Sequence, residues 1–137
     1  MTDWTAGCHC GAVSVRLARA PDEVAECNCS LCLSHGVLWS YFSPREVVIE
    51  GATRVYRRAD MASPACDLHF CGRCGCTTHW SATAELIATM GEVDRMGVNM
   101  RLFDPARLRG LRLMFPDGRG WDKQGDWAFA RPDGVMA

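Results

Sequence analysis

Residues 70–80 read FCGRCGCTTHW, and this stretch decides between two folds. Cys71 and Cys74 stand in a C-x-x-C spacing, with Cys76 two residues on. In a βαβ setting such a pair is a redox motif of the thioredoxin kind. Here the residues after Cys76, TTHWS, carry a strand pattern, so the pair sits in a turn of a β-rich chain. Gly72 and Gly75 leave the backbone room to fold around an ion, and such a turn presents two thiolates to one metal.

The same chemistry recurs upstream. Cys8-His9-Cys10 is one cluster, and AECNCSLC at 25–32 holds Cys27, Cys29 and Cys32. Eight of the nine cysteines fall in these three clusters, which seldom arise for packing alone. A C-x-C pair in a strand puts both side chains on one face. Two such pairs close a four-cysteine zinc site, with about 2.3 Å from metal to each sulfur. Spacing leaves the assignment open: Cys8 and Cys10 could join Cys71 and Cys74, or two of the middle cluster. Cys66 stands alone and reads as a small buried hydrophobe. The middle run offers three ligands where a tetrahedral metal wants four.

Around these clusters the chain reads as one domain of many short strands. Val13, Val15 and Leu17 alternate with Ser14 and Arg16 in a strand over 11–17. Further strands are expected at 37–42, 46–50, 53–58, 66–71, 77–81 and 95–102, with 46–50 and 53–58 placed around a turn at Gly51. Helix is thin: a short turn from Asp104-Pro105 to Leu108, and two turns or a covering loop over 82–90. A domain over 1–115 is followed by an irregular segment, 116–137, whose Trp121, Trp127 and Phe129 dock it on the same domain.

At 137 residues, 48% hydrophobic and 23% charged, the chain has the composition of a globular domain with its own core. A net charge of -1 gives no general attraction to nucleic acid or an anionic membrane. MTDWTAGCHC carries no secretory signal and no run is long enough to span a membrane, so the expected compartment is the cytoplasm. In a reducing cytoplasm, nine cysteines favour metal over disulfides.

Three pieces, GCHCGAV at 7–13, CNCSLC at 27–32 and FCGRCGCTTHW at 70–80, give the sequence a resemblance to the glutathione-dependent formaldehyde-activating enzyme family, which includes the centromere protein V relatives. VNMRLFDP at 98–105 is a looser match. The resemblance implies a mainly β fold, a zinc-stabilised β-tent of antiparallel sheets with little helix. It also implies a division of ligands between two zinc ions. Cys8, Cys10, Cys71 and Cys74 would hold a structural zinc, and Cys27, Cys29 and Cys32 a second, functional one. Closed sites have four protein ligands, whereas catalytic zinc keeps a position for water or substrate. The place of the absent fourth ligand is then where a substrate thiolate binds. Cys76 complicates this, because as a fourth ligand of the second zinc it would close that site.

The activity so implied is a carbon–sulfur lyase or synthase that joins a thiol such as glutathione to an aldehyde, with S-hydroxymethylglutathione as the formaldehyde adduct. An enzyme of the same fold with another thiol or electrophile is a variant of it. The alternative is a non-enzymatic zinc-stabilised interaction module, for which two closed sites are expected. His35, three residues past Cys32, is the candidate for the mouth of the second site. His9 is expected to be exposed, and His79 packed or hydrogen-bonded. Trp39, Tyr41 and Trp80 read as core, and Arg54, Arg57 and Arg58 as candidates for the thiol's carboxylates.

Overall fold

Short alternating segments build strands in chain order. β1 (Trp4–Gly7) and β2 (Ser14–Leu17) pair antiparallel, and β3 (Glu23–Ala25) follows. A helix, α1 (Ser30–His35), leads to β4 (Trp39–Phe42), and a 3₁₀ turn, Pro44–Glu46, leads to β5 (Val47–Glu50). β6 (Thr53–Arg57), β7 (Cys66–Cys71) and β8 (Thr77–Ala82) then form an antiparallel meander. After α2 (Ala84–Met90) come β9 (Met96–Asn99), α3 (Pro105–Leu108), β10 (Arg112–Met114) and β11 (Gly134–Val135). These elements come from a computed structural model that describes residues 3–137; Met1 and Thr2, where the expected domain begins, lie outside the described residues.

Two sheets result. One runs β1-β2-β5, and the other runs β11-β10-β3-β4-β9-β8-β7-β6. The fold is mainly β with little helix, and one pair departs from the antiparallel expectation: β10 lies parallel to β3. Val15, Leu17, Val24, Phe42, Met96, Val98 and Met100 form the main core, closed at one end by Trp4 against Phe103. Removing such side chains from water supplies the main drive to fold, about 25 cal/mol per Å². Among the described residues, no helix is long and apolar enough to cross a membrane.

Two strand expectations need correction. The segments on either side of Gly51 do not pair with each other; β5 joins β2 in the small sheet and β6 joins β7 in the large one. Gly51, at φ +100, is where the chain crosses between sheets, and a Cβ there would lie 2.1 Å from the Ala12 carbonyl oxygen. The strand expected over 95–102 stops at Asn99. The Asn99 side chain accepts from Leu38 N and Arg101 N and donates to Thr77 O, which turns residues 100–102 into a 3₁₀ turn. Asn99 is buried, so these bonds replace lost water.

The C-terminal segment is tied down at several places. β11 pairs with β10, Phe129 bridges Pro116, and Asn28 binds the 117–119 turn. α1 had no sequence signal, because none of its six residues is fully buried and they give no periodicity.

Candidate metal centre and cavity

The first thiol cluster forms where two turns meet. Gly75, at φ +80, reverses the chain after Cys74, so Cys71 N can donate to Cys76 O and close the tip between β7 and β8. The loop after β1 folds back through Cys8 N to Val13 O and lies against that tip. Of the two pairings that spacing left open, the fold brings Cys8 and Cys10 to Cys71 and Cys74. All four sulfurs lie within 4.8 Å of one another. Cys10 Sγ is 3.7 Å from both Cys8 Sγ and Cys71 Sγ. A tetrahedral zinc with metal–sulfur bonds of about 2.3 Å needs sulfur edges of roughly 3.8 Å, so the cluster fits the ion.

Its electrostatics agree. Backbone N–H groups of Cys76 and Cys10 hold the Cys74 thiol down at about 5. The Ala12 N–H favours a Cys10 thiolate, yet burial and the sulfurs of Cys71, Cys8 and Cys74 outweigh it and push Cys10 up to about 11. Four thiolates this close resist joint ionisation, and a divalent cation removes that resistance. Val13 N and Arg73 N donate to Cys8 Sγ and Cys71 Sγ, at 3.3 and 3.4 Å.

The second cluster is built by a helix start. Cys29 is the N-cap of α1 and its Sγ accepts from Cys32 N at 3.3 Å, while Cys29 N donates to Cys27 Sγ at 3.4 Å. Cys27, Cys29 and Cys32 thus converge within 4.8 Å, a trio that suits a metal with one position left over. Trp39 Nε1 donates to Cys32 Sγ at 3.2 Å. Hydrogen bonds from the Cys27 and Cys32 thiols pull Cys29 down to about 2, with help from Arg58, while those with Cys27 and Cys29 push Cys32 far up. The trio holds a negative charge readily and resists a second until a cation arrives.

Cys76 does not reach this trio, contrary to the possibility of a fourth ligand there. The same reversal at Gly75 keeps it beside the first cluster, where its Sγ accepts from His9 N at 3.5 Å. The His9 N–H favours a Cys76 thiolate, but burial and Cys74 outweigh it and hold the thiol above its ordinary value.

A cavity of about 530 Å³ opens on the trio. Trp39, Tyr41, Trp80, Trp121 and Trp127 line it, so the first three are walls of a cavity as well as packed residues. Tyr41 stands 6.2 Å from Trp80 and 6.1 Å from Trp127, which is 6.1 Å from Trp121. Burial pushes the Tyr41 hydroxyl well above its ordinary pKa, so it stays protonated. Arg58, Arg95, Lys123 and Asp126 supply the charges. Arg58 pairs with Asp60 at 2.7 Å, and the Arg95 guanidinium lies 4.2 Å from the Tyr41 ring centre.

Several expected site residues stand elsewhere. His35 is exposed and outside the cavity lining; its Nδ1 meets Leu31 O at 2.8 Å and its ring stacks on Tyr56. Arg57 faces away and pairs with Asp67 and Glu85, while Arg54 packs over Gly72. The His9 side chain is exposed. His79 is buried and stacked on His69 at 4.1 Å, and its Nδ1 lies 2.9 Å from Thr78 Oγ1. Burial, then His69, pushes His79 down to about 4.

Sequence reasoning missed Cys66, Arg95 and the 116–127 segment. Cys66 lines the same cavity as the trio, and burial pushes its thiol up to about 11. A signal for it existed, since Cys66 and Leu68 share one face of β7 by strand alternation. The segment is anchored by Asn28, whose Nδ2 donates to Asp117 at 2.9 Å and whose Oδ1 accepts from Arg119 N at 3.0 Å.

The fold is shared with a solved structure of a Rhodobacter sphaeroides protein, at a TM-score of 0.56 and 23% identity, over 73% of this chain and 87% of that one. Among curated proteins there is no match. The family model described as glutathione-dependent formaldehyde-activating enzyme matches residues 3–106, which contain both thiol clusters and end before the 116–127 wall. The chain belongs to the glutathione-dependent formaldehyde-activating enzyme family.

Proposed function

We propose that the chain is a carbon–sulfur lyase or synthase with two zinc ions, one structural and one functional. Cys8, Cys10, Cys71 and Cys74 hold the structural ion, and Cys27, Cys29 and Cys32 hold the functional one. The substrates are a thiol of the glutathione kind and an aldehyde, joined as a hemithioacetal or released from it. One observation carries this reading: the trio is three-membered, lines an open cavity, and has Cys76 at the other cluster. Two closed sites, as an interaction module requires, are disfavoured by the same observation.

Bound at the trio, zinc supplies a Lewis acid that keeps a thiol in its nucleophilic thiolate form. Arg58 offsets the negative charge that a fourth sulfur brings to the trio, since it lies close enough to favour the Cys29 thiolate. Trp39 Nε1 withdraws charge from Cys32 Sγ through its hydrogen bond. The protonated Tyr41 hydroxyl is a donor on the cavity wall for the carbonyl oxygen of the aldehyde. Arg95 and Lys123 are cations for the thiol's carboxylates, in place of Arg54 and Arg57. Nine cysteines with no disulfide among them suit a reducing compartment, the cytoplasm.

The test is exchange NMR of glutathione with formaldehyde in the presence of zinc-loaded protein. Acceleration by the parent and its loss in a folded Cys29→Ser variant is the expected result. Equal acceleration by both proteins overturns the reading.

A further inference from the structure

We propose that the aldehyde taken at this site carries an aromatic or similarly flat apolar group, an inference that rests on the carbon–sulfur reading above. Trp80, Tyr41, Trp127 and Trp121 form a continuous run of rings along the cavity, each about one ring-contact distance from the next. The indole N–H groups of two wall residues are already spent, Trp121 Nε1 on Gln124 O and Trp39 Nε1 on Cys32 Sγ. Arg95 covers one side of Tyr41, so what the wall offers a guest is chiefly ring surface of Trp80, Trp121 and Trp127. Formaldehyde has two heavy atoms, fills about the 30 Å³ share of one water, and has no face to stack. A thiol of the glutathione kind is met by the charged groups and leaves the rings without a partner.

Two other guests fit less well. Aromatic walls also attract quaternary ammonium groups. Here the Arg95 guanidinium already fills that role on the Tyr41 ring, and Arg58 and Lys123 are further cations on the lining. A purely structural ring cluster would be sealed, whereas these rings border an open volume of about 530 Å³ beside the thiol trio. Trp121 and Trp127 lie beyond the residues that the family model matches, whereas Tyr41 and Trp80 lie within them.

The reaction balances without an oxidant. The thiol releases its proton to solvent, and its sulfur lone pair attacks the carbonyl carbon to form the C–S bond. The π pair of the C=O bond moves to oxygen, which takes up a proton, and the product is the hemithioacetal.

Exchange NMR with the zinc-loaded full chain, glutathione and either benzaldehyde or formaldehyde tests the inference. Measured against the uncatalysed rate of each aldehyde, the acceleration for benzaldehyde is expected to exceed that for formaldehyde by about tenfold, the scale of one good ring contact. Trp127→Ala should lower the benzaldehyde value by a similar factor, and Trp127→Phe should restore most of it. Benzyl alcohol, which has the ring and no carbonyl, should bind the parent by saturation-transfer NMR and lose that signal in Trp127→Ala. Turnover of formaldehyde with no advantage for benzaldehyde overturns the inference alone. Turnover of neither aldehyde overturns the carbon–sulfur reading and the inference with it.

Discussion

Gly118 sits so close to Cys27 that a Cβ at position 118 would come within 2.5 Å of the Cys27 sulfur and 3.1 Å of the Cys29 Cβ. A methyl group there has to displace either the 117–119 turn or a trio thiol. Gly118→Ala is expected to lower zinc occupancy at the trio and leave the other cluster loaded. Metal analysis should fall from two equivalents toward one; two retained equivalents would show that the turn moves freely.

The two clusters should differ in what they do for stability. Structural zinc contributes about 10–16 kcal/mol of binding free energy in small zinc-folded peptides, against a net domain stability of about 5–15 kcal/mol. Cys71→Ser should therefore lower Tm by more than roughly 10 °C or prevent folding. Cys29→Ser should leave a folded chain with one ion fewer. Equal melting of parent and Cys71→Ser would refute the structural role.

His79 gives a pH dependence with a defined sign. Its folded pKa of about 4 lies below its ordinary 6.5, so the native state holds it neutral and the unfolded chain binds the proton more tightly. Its contribution is complete above about pH 6.5 and is lost as pH falls toward 4. The full loss is about 3 kcal/mol, from a difference of some 2.5 pH units. Urea melts between pH 7 and 4.5 should show a shallower fall for His79→Gln than for the parent. Parallel slopes would mean that His79 is not the group responsible.

Gly51→Ala combines a left-handed backbone with a 2.1 Å approach to the Ala12 oxygen. The backbone strain alone costs about 1–3 kcal/mol, and the contact adds to it. Urea unfolding should register a loss of at least about 2 kcal/mol, with no change in metal stoichiometry. A neutral substitution would show that the crossing between sheets is loose.

The thiol clusters were legible because their geometry is local. A C-x-x-C in a turn, or a Cys at a helix N-cap with another three residues on, needs only neighbouring backbone to bring sulfurs together. Joining Cys8 and Cys10 to the 71–76 tip was less so, since it depends on how two sheets meet. The cavity was not legible. Its rings come from β4, β8 and the 116–127 segment, which only the sheet order and the Asn28 anchor make neighbours. The arginines were half legible: alternation along β6 sets Arg57 opposite Arg54, but only the fold shows that Arg58 alone of the three lines the cavity. Gly51 misled because a tight turn and a change of sheet demand the same residue.

The dependence of the cavity on residues after 116 also sets an order of events during synthesis. All three trio cysteines, at 27–32, are synthesised well before their wall of Trp121 and Trp127. At about 5–20 residues per second, the trio precedes that wall by several seconds. An ion can enter from open solvent in that interval, whereas in the finished molecule it must pass the tryptophans.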